Sequence, residues 1–72
     1  MTEETRIKKS ANRIKFLREN ADESQNDCAE AIGVSQVAWS YYENGTRSPS
    51  DEIKTRIAKH FHKTVQEIFF AE

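Results

Sequence analysis

Cys28, His60 and His62 are the residues whose side chains could attack a substrate or hold a metal, and Trp39, Tyr41 and Tyr42 are those that could stack on bases. His60 and His62 are two apart and do not share a helical face. A metal would need further ligands at suitable spacing, so none is expected. Cys28 falls on an apolar stripe with Ala29 and Ile32 and reads as a small core residue. Nothing orients a cysteine–histidine nucleophilic pair. There is no glycine-rich phosphate loop and no paired-carboxylate constellation, and 72 residues leave little room for a catalytic cleft. No enzyme and no cofactor is expected. Trp39 and Tyr42, three apart, point inward to a core, whereas Tyr41 points the other way. The basic run Arg6, Lys8, Lys9, Arg13 and Lys15 is by default a solvated face, with a contribution to phosphate binding as the alternative.

The elements that must position these residues are short helices. The two glycines, Gly33 and Gly45, and the one proline, Pro49, punctuate the chain. A first helix is expected over residues 8–20, with Ala11, Ile14, Leu17 and Arg18 on one face, Phe16 off it and residues 1–5 frayed. Ser24 caps a second helix, Gln25 to Ile32, with Asp27 as the acidic third residue and Gly33 as a left-handed end. Ser35 caps a third, Gln36 to Glu43, which Asn44-Gly45 stops. Ser50 caps a fourth with the stripe Ile53, Ile57, Ala58 and Phe61, ended by His62 in left-handed conformation. Thr64, with Glu67, caps a short fifth in which Val65, Ile68 and Phe69 close the core. No strand signal is present, and the expected fold is all-α, one compact domain of five helices over residues 1–72.

Charge is distributed unevenly. Residues 1–20 hold six Lys/Arg against three Glu, residues 21–45 hold five Asp/Glu and no Lys/Arg, and residues 46–72 hold five Lys/Arg against four Asp/Glu, for a net charge of −1. A basic surface for a polyanion must be assembled from the two ends around an acidic middle. No apolar run is long enough to span a membrane, the start lacks a signal-peptide core, and the lone cysteine forms no internal disulfide. The expected location is the cytoplasm.

Two helices of about eight residues joined by Gly33-Val34-Ser35 form a helix-turn-helix, over about residues 24–44, whose second helix enters the major groove. The stretch SQNDCAEAIGVSQVAWSYYENGTRSPS resembles the lambdoid phage repressor and Cro-type helix-turn-helix family, the xenobiotic-response-element-like regulators. The resemblance runs from about Asn12 to Phe69. It rests on Leu17-Arg18 ending the first helix, Ser24-Gln25 opening the second, Ala29 and the Gly33-Val34-Ser35 turn, Glu43-Asn44-Gly45 closing the third and Pro49-Ser50 opening the fourth. The family's usual glycine and aliphatic residue before the second helix are replaced by Ala21-Asp22-Glu23, and the third helix lacks the common outward arginine or lysine.

This resemblance implies a lambda-repressor-like DNA-binding domain and assigns roles. Gln36 and Val37 lead the base-reading face, and Ser40 and Tyr41 reach a base edge or the flanking backbone. Gln25, Ser35, Asn44, Thr46 and Arg47 contact phosphates, through side chains and exposed amides. Arg18 and Glu43 form an ion pair that ties the third helix to the scaffold. The implied function is a sequence-specific double-stranded-DNA-binding transcriptional regulator, a repressor acting as a homodimer on palindromic half-sites, with no small-molecule ligand domain and no membrane partner. Phe69 and Phe70 are candidates for the dimer contact. The alternative is a protein-interaction module, antitoxin- or anti-repressor-like, whose acidic middle faces a basic partner.

Overall fold

The computed structural model describes residues 2–71. Four α-helices, α1 (Glu3–Asn20), α2 (Gln25–Ile32), α3 (Gln36–Asn44) and α4 (Asp51–His60), precede a terminal π-helical turn, Gln66–Phe70. No strand occurs among the described residues. None of the described helices is long and apolar enough to cross a membrane.

Helix α1 begins five residues ahead of the expected start, and residues expected to fray form its first turn. The cause is local: the Thr2 hydroxyl accepts the Thr5 amide at 3.2 Å, and Glu3 and Glu4 sit where the helix dipole favours anions. Met1, also expected to fray, lies outside the described residues. Asp22, at φ 56°, turns the chain after α1.

The helix-turn-helix follows from caps at each of its boundaries. Ser24 Oγ accepts the Asp27 amide at 3.0 Å, and Asp27 Oδ2 accepts the Ser24 amide at 3.2 Å, so two otherwise orphaned donors are satisfied reciprocally. Gly33 ends α2 at φ 90°, a conformation that costs a side-chain-bearing residue steric strain. Ser35 Oγ then accepts the Ala38 amide at 3.1 Å and opens α3. Helix α3 runs one residue beyond expectation, to Asn44, before Gly45 closes it at φ 78°.

Ser50 caps α4 through the Ile53 amide, and His62 takes the left-handed conformation at φ 57°. The Thr64–Glu67 box is formed in both directions, at 3.0 and 3.1 Å. What it leads into is π-helical rather than α-helical. The adjacent Ile68 and Phe69 of this turn are both buried in the core. Its carbonyls are met from α1, where Arg13 Nη1 donates to Ile68 O at 3.0 Å and Ser10 Oγ to Phe69 O at 3.3 Å. Groups that a helix end leaves unpaired are thus satisfied across the fold.

The core is one cluster: Ile14 from α1, Cys28, Ala29 and Ile32 from α2, Trp39 from α3, Ile57 and Ala58 from α4, and Ile68 and Phe69 from the terminal turn. Trp39 lies at full burial among them and meets Tyr42 edge to face at 6.4 Å. Aromatic burial of this kind contributes more than area alone, and it holds α3 from behind. Phe16, off the inner face, is 62% exposed.

Candidate nucleic-acid interface

Helix α3 has two sides with different tasks. Its outer side carries Gln36, Val37, Ser40, Tyr41 and Asn44, spaced so that they line one helical face. Gln36, Val37, Tyr41 and Asn44 are exposed and Ser40 is half-buried. Val37 is 61% exposed, a branched apolar side chain left in water. Tyr41 is covered on one face by Arg47, whose guanidinium lies 5.4 Å from the ring centroid. This cation–π contact fixes the loop arginine beside the outer face of the helix.

The inner side is locked through Glu43, which is only 6% exposed. Arg18 Nε donates to its Oε2 at 2.6 Å and Arg18 Nη2 to its Oε1 at 3.2 Å, a two-pronged pairing. Trp39 Nε1 also donates to Oε2, and Gln25 Nε2 donates to Oε1 at 3.2 Å. Arg18 further donates to Glu23 O at 2.8 Å. One carboxylate therefore joins α1, α2 and α3. The hydrogen bond to Glu43 raises the Arg18 pKa above its ordinary value against the opposing effect of burial, so the guanidinium stays charged.

The proposed phosphate contacts flank this helix, with two differences from expectation. The Gln25 side chain is drawn inward to Glu43, which leaves its second amide hydrogen and the α2 N-terminal backbone for a phosphate. The first three backbone amides after α3, those of Gly45, Thr46 and Arg47, are already hydrogen-bonded within the chain. Thr46 N–H bonds Tyr41 O at 3.1 Å and Asn44 Oδ1 at 2.9 Å, and Arg47 N–H bonds Tyr41 O at 3.3 Å. These amides are spent within the loop, so Asn44 keeps its side-chain NH2 and Thr46 and Arg47 keep their side chains to offer. Ser35 spends its oxygen on the cap and keeps a hydroxyl hydrogen to donate.

Two features escaped the sequence reading of individual residues. Gly45 packs against Lys8: a methyl group placed there would lie 3.5 Å from Lys8 Cγ and 3.8 Å from Ala11 Cβ. The basic end of α1 is thereby set beside the end of α3, and the basic run on α1 was the only signal for it. The second feature is a cluster of Glu23, Cys28 and His60. His60 Nε2 lies 2.7 and 3.0 Å from the two Glu23 oxygens, and Cys28 Sγ donates to Glu23 Oε1 at 3.6 Å. Burial and the adjacent Glu23 carboxylate push the Cys28 thiol up to about 12. Residues 37 apart leave no periodic signature that could have joined them.

Two short capped helices, a glycine turn and an exposed face on the second helix define a helix-turn-helix protein. The chain belongs to the family described as helix-turn-helix domain, whose model matches residues 11–67. It is 33% identical over 58 residues to the cryptic phage CTXphi transcriptional repressor RstR of Vibrio cholerae, covering 81% of this chain and 52% of that protein. The chain thus spans about half the length of that relative. It is 33% identical over 61 residues to an uncharacterized HTH-type transcriptional regulator of Methanocaldococcus jannaschii, covering 85% of this chain and 92% of that one. In fold it is similar to the clp gene regulator ClgR from Corynebacterium glutamicum, with a TM-score of 0.81 at 19% identity over 88% of this chain and 67% of the other.

Proposed function

We propose that this chain is a sequence-specific, double-stranded-DNA-binding transcriptional regulator that represses as a homodimer on palindromic half-sites. The observation that carries this reading is the outer row of α3, polar and apolar side chains presented to solvent on a helix whose inner side is locked by Glu43 and Trp39. In the major groove the Gln36 amide pairs with adenine N6 and N7, and Val37 packs on a thymine methyl. Ser40 and Tyr41 reach a base edge or the adjoining backbone. The side chains of Gln25, Ser35, Asn44, Thr46 and Arg47 hold phosphates, with Lys8 adding charge beside Gly45. Repression is favoured by the kinship with RstR, itself a phage transcriptional repressor by name.

The acidic middle gives less support to a protein-binding role than its composition implies. Glu43 is buried against Arg18, Glu23 is half-buried against His60, and Asp27 is turned back onto the start of its own helix. Asp22 and Glu30 are the remaining carboxylates of the segment. Selection of bound fragments from random duplex DNA tests the reading. The expected product is a two-fold symmetric motif with half-sites about one helical turn, ~34–36 Å, apart. Equal affinity for selected and scrambled duplexes would reject it.

A further inference from the structure

Glu23, Cys28 and His60 come from three separate elements: the turn after α1, the first turn of α2 and the end of α4. Their ligand atoms all lie within 4.8 Å of one another. We propose that Glu23, Cys28 and His60 form a binding site for one zinc-class divalent cation, with water as the fourth ligand.

Four observations support it. The donor set is one thiolate, one imidazole and one carboxylate, a combination that a borderline-soft cation such as zinc accepts in tetrahedral geometry. Zinc bonds of ~2.0–2.3 Å require the sulfur and nitrogen to close in on the ion and the His60–Glu23 hydrogen bond to open around it. The charges balance, because glutamate and thiolate together carry two negative charges. They make a neutral complex with a divalent ion, which suits a site where Cys28 is fully buried and the other two are half-buried. Glu23 and His60 also line an open hollow together with Asn20 and His62, so their side of the cluster can be reached by water and by an ion.

The ligands are also held in place. The Glu23 amide donates to Arg18 O at 3.2 Å and its carbonyl accepts from Arg18 Nη1 at 2.8 Å. His60 stands in the last turn of α4, where the helix dipole favours positive charge. On binding, the Cys28 S–H bond breaks, sulfur donates its electron pair to the ion and the proton passes to water. His60 coordinates through Nε2 as neutral imidazole. The ion would pin the turn after α1 to the end of α4, next to the arginine that grips Glu43.

Titration of the intact chain with Co(II) and then Zn(II) tests this. The expected result is one Co(II) per chain with a thiolate-to-cobalt charge-transfer band in the near ultraviolet, displaced by one equivalent of Zn(II), and a Zn-dependent rise in Tm. Cys28→Ala should abolish the band. Glu23→Gln and His60→Gln, at half-exposed positions that leave the core intact, should each weaken binding by at least about 10-fold while far-UV circular dichroism stays unchanged. Wild-type protein that shows neither the band nor the Tm rise overturns the proposal without recourse to any variant. Binding that survives Cys28→Ala and His60→Gln but disappears in His62→Gln also overturns it, by placing the ion elsewhere.

Discussion

At the scale of single residues, Glu43 is held from several sides at once. It is a buried carboxylate that accepts from Arg18, Trp39 and Gln25. Net stability from such a pair is small, because desolvation offsets the attraction, but removing one partner leaves a charge buried without its counterion. Arg18→Ala should therefore lower unfolding free energy by roughly 3–5 kcal/mol, a large part of what a chain this short can have. Urea denaturation measures it, and a loss below about 1 kcal/mol would mean that Glu43 behaves as a solvated surface group. The outer residues should behave differently. Gln36→Ala should leave stability near wild type and cost about 1–3 kcal/mol of discrimination at one base position. Arg47→Ala should weaken binding to all duplexes alike and reduce the salt slope by about 1. Fluorescence anisotropy at several salt concentrations separates the two. A Gln36→Ala protein that keeps its sequence preference would remove Gln36 from the readout.

At the scale of elements, the molecule is organised by caps, and caps are the part most legible in a sequence. Ser24, Gly33, Ser35, Gly45 and Ser50 each act within four residues, so the bounds of α2 follow from the letters and those of α3 to within one residue. The start of α1 was equally local, with Thr2 followed by two glutamates, and was missed because the apolar stripe begins only at Ala11. The π-helical turn was not legible. It depends on Ser10 and Arg13 reaching carbonyls 59 and 55 residues away. The same holds for the site: its outer row follows helical spacing, whereas the inward Gln25 amide and the self-satisfied loop after α3 depend on the tertiary position of Glu43 and on local loop geometry. Ser35→Ala should cost about 1 kcal/mol and lower Tm accordingly. The Thr64–Glu67 box gives a pH effect with a defined sign. Hydrogen bonds from Thr64 hold the Glu67 carboxyl below its ordinary value of 4.5. The stability it contributes is present above pH 4.5 and is lost as pH falls through the lower folded value. The Tm gap between wild type and Glu67→Gln should therefore narrow below pH 4.5. A gap that is constant with pH would mean the box is not populated.

At the scale of the whole molecule, size and charge set the terms of DNA binding. The domain measures 32 × 23 × 22 Å and carries a net charge of −1. Phosphate attraction supplies most non-specific affinity, and in the proposed reading it rests on a few side chains near the ends of α3, such as Arg47 and, from α1, Lys8. A single copy has one α3, one half-site and little electrostatic grip, so in the proposed reading tight binding comes from coupling two copies. Linked modules gain through effective concentration, by about 10²–10⁴ in affinity without new DNA contacts. In that reading the terminal turn is the proposed contact. Phe69 is core, whereas Phe70 is 41% exposed beside Lys54, whose ammonium lies 5.1 Å from its ring centroid. An exposed aromatic of this size favours burial against a second copy. Phe70→Glu should leave Tm and half-site affinity close to wild type while reducing the preference for the palindrome over an isolated half-site by at least about 10-fold. Phe69→Ala, by contrast, removes a core ring at a cost of about 3–5 kcal/mol and should impair both. Anisotropy titrations on the two duplexes, with sedimentation equilibrium on the free protein, distinguish these outcomes. An unchanged palindrome preference in Phe70→Glu would move the dimer contact to another face.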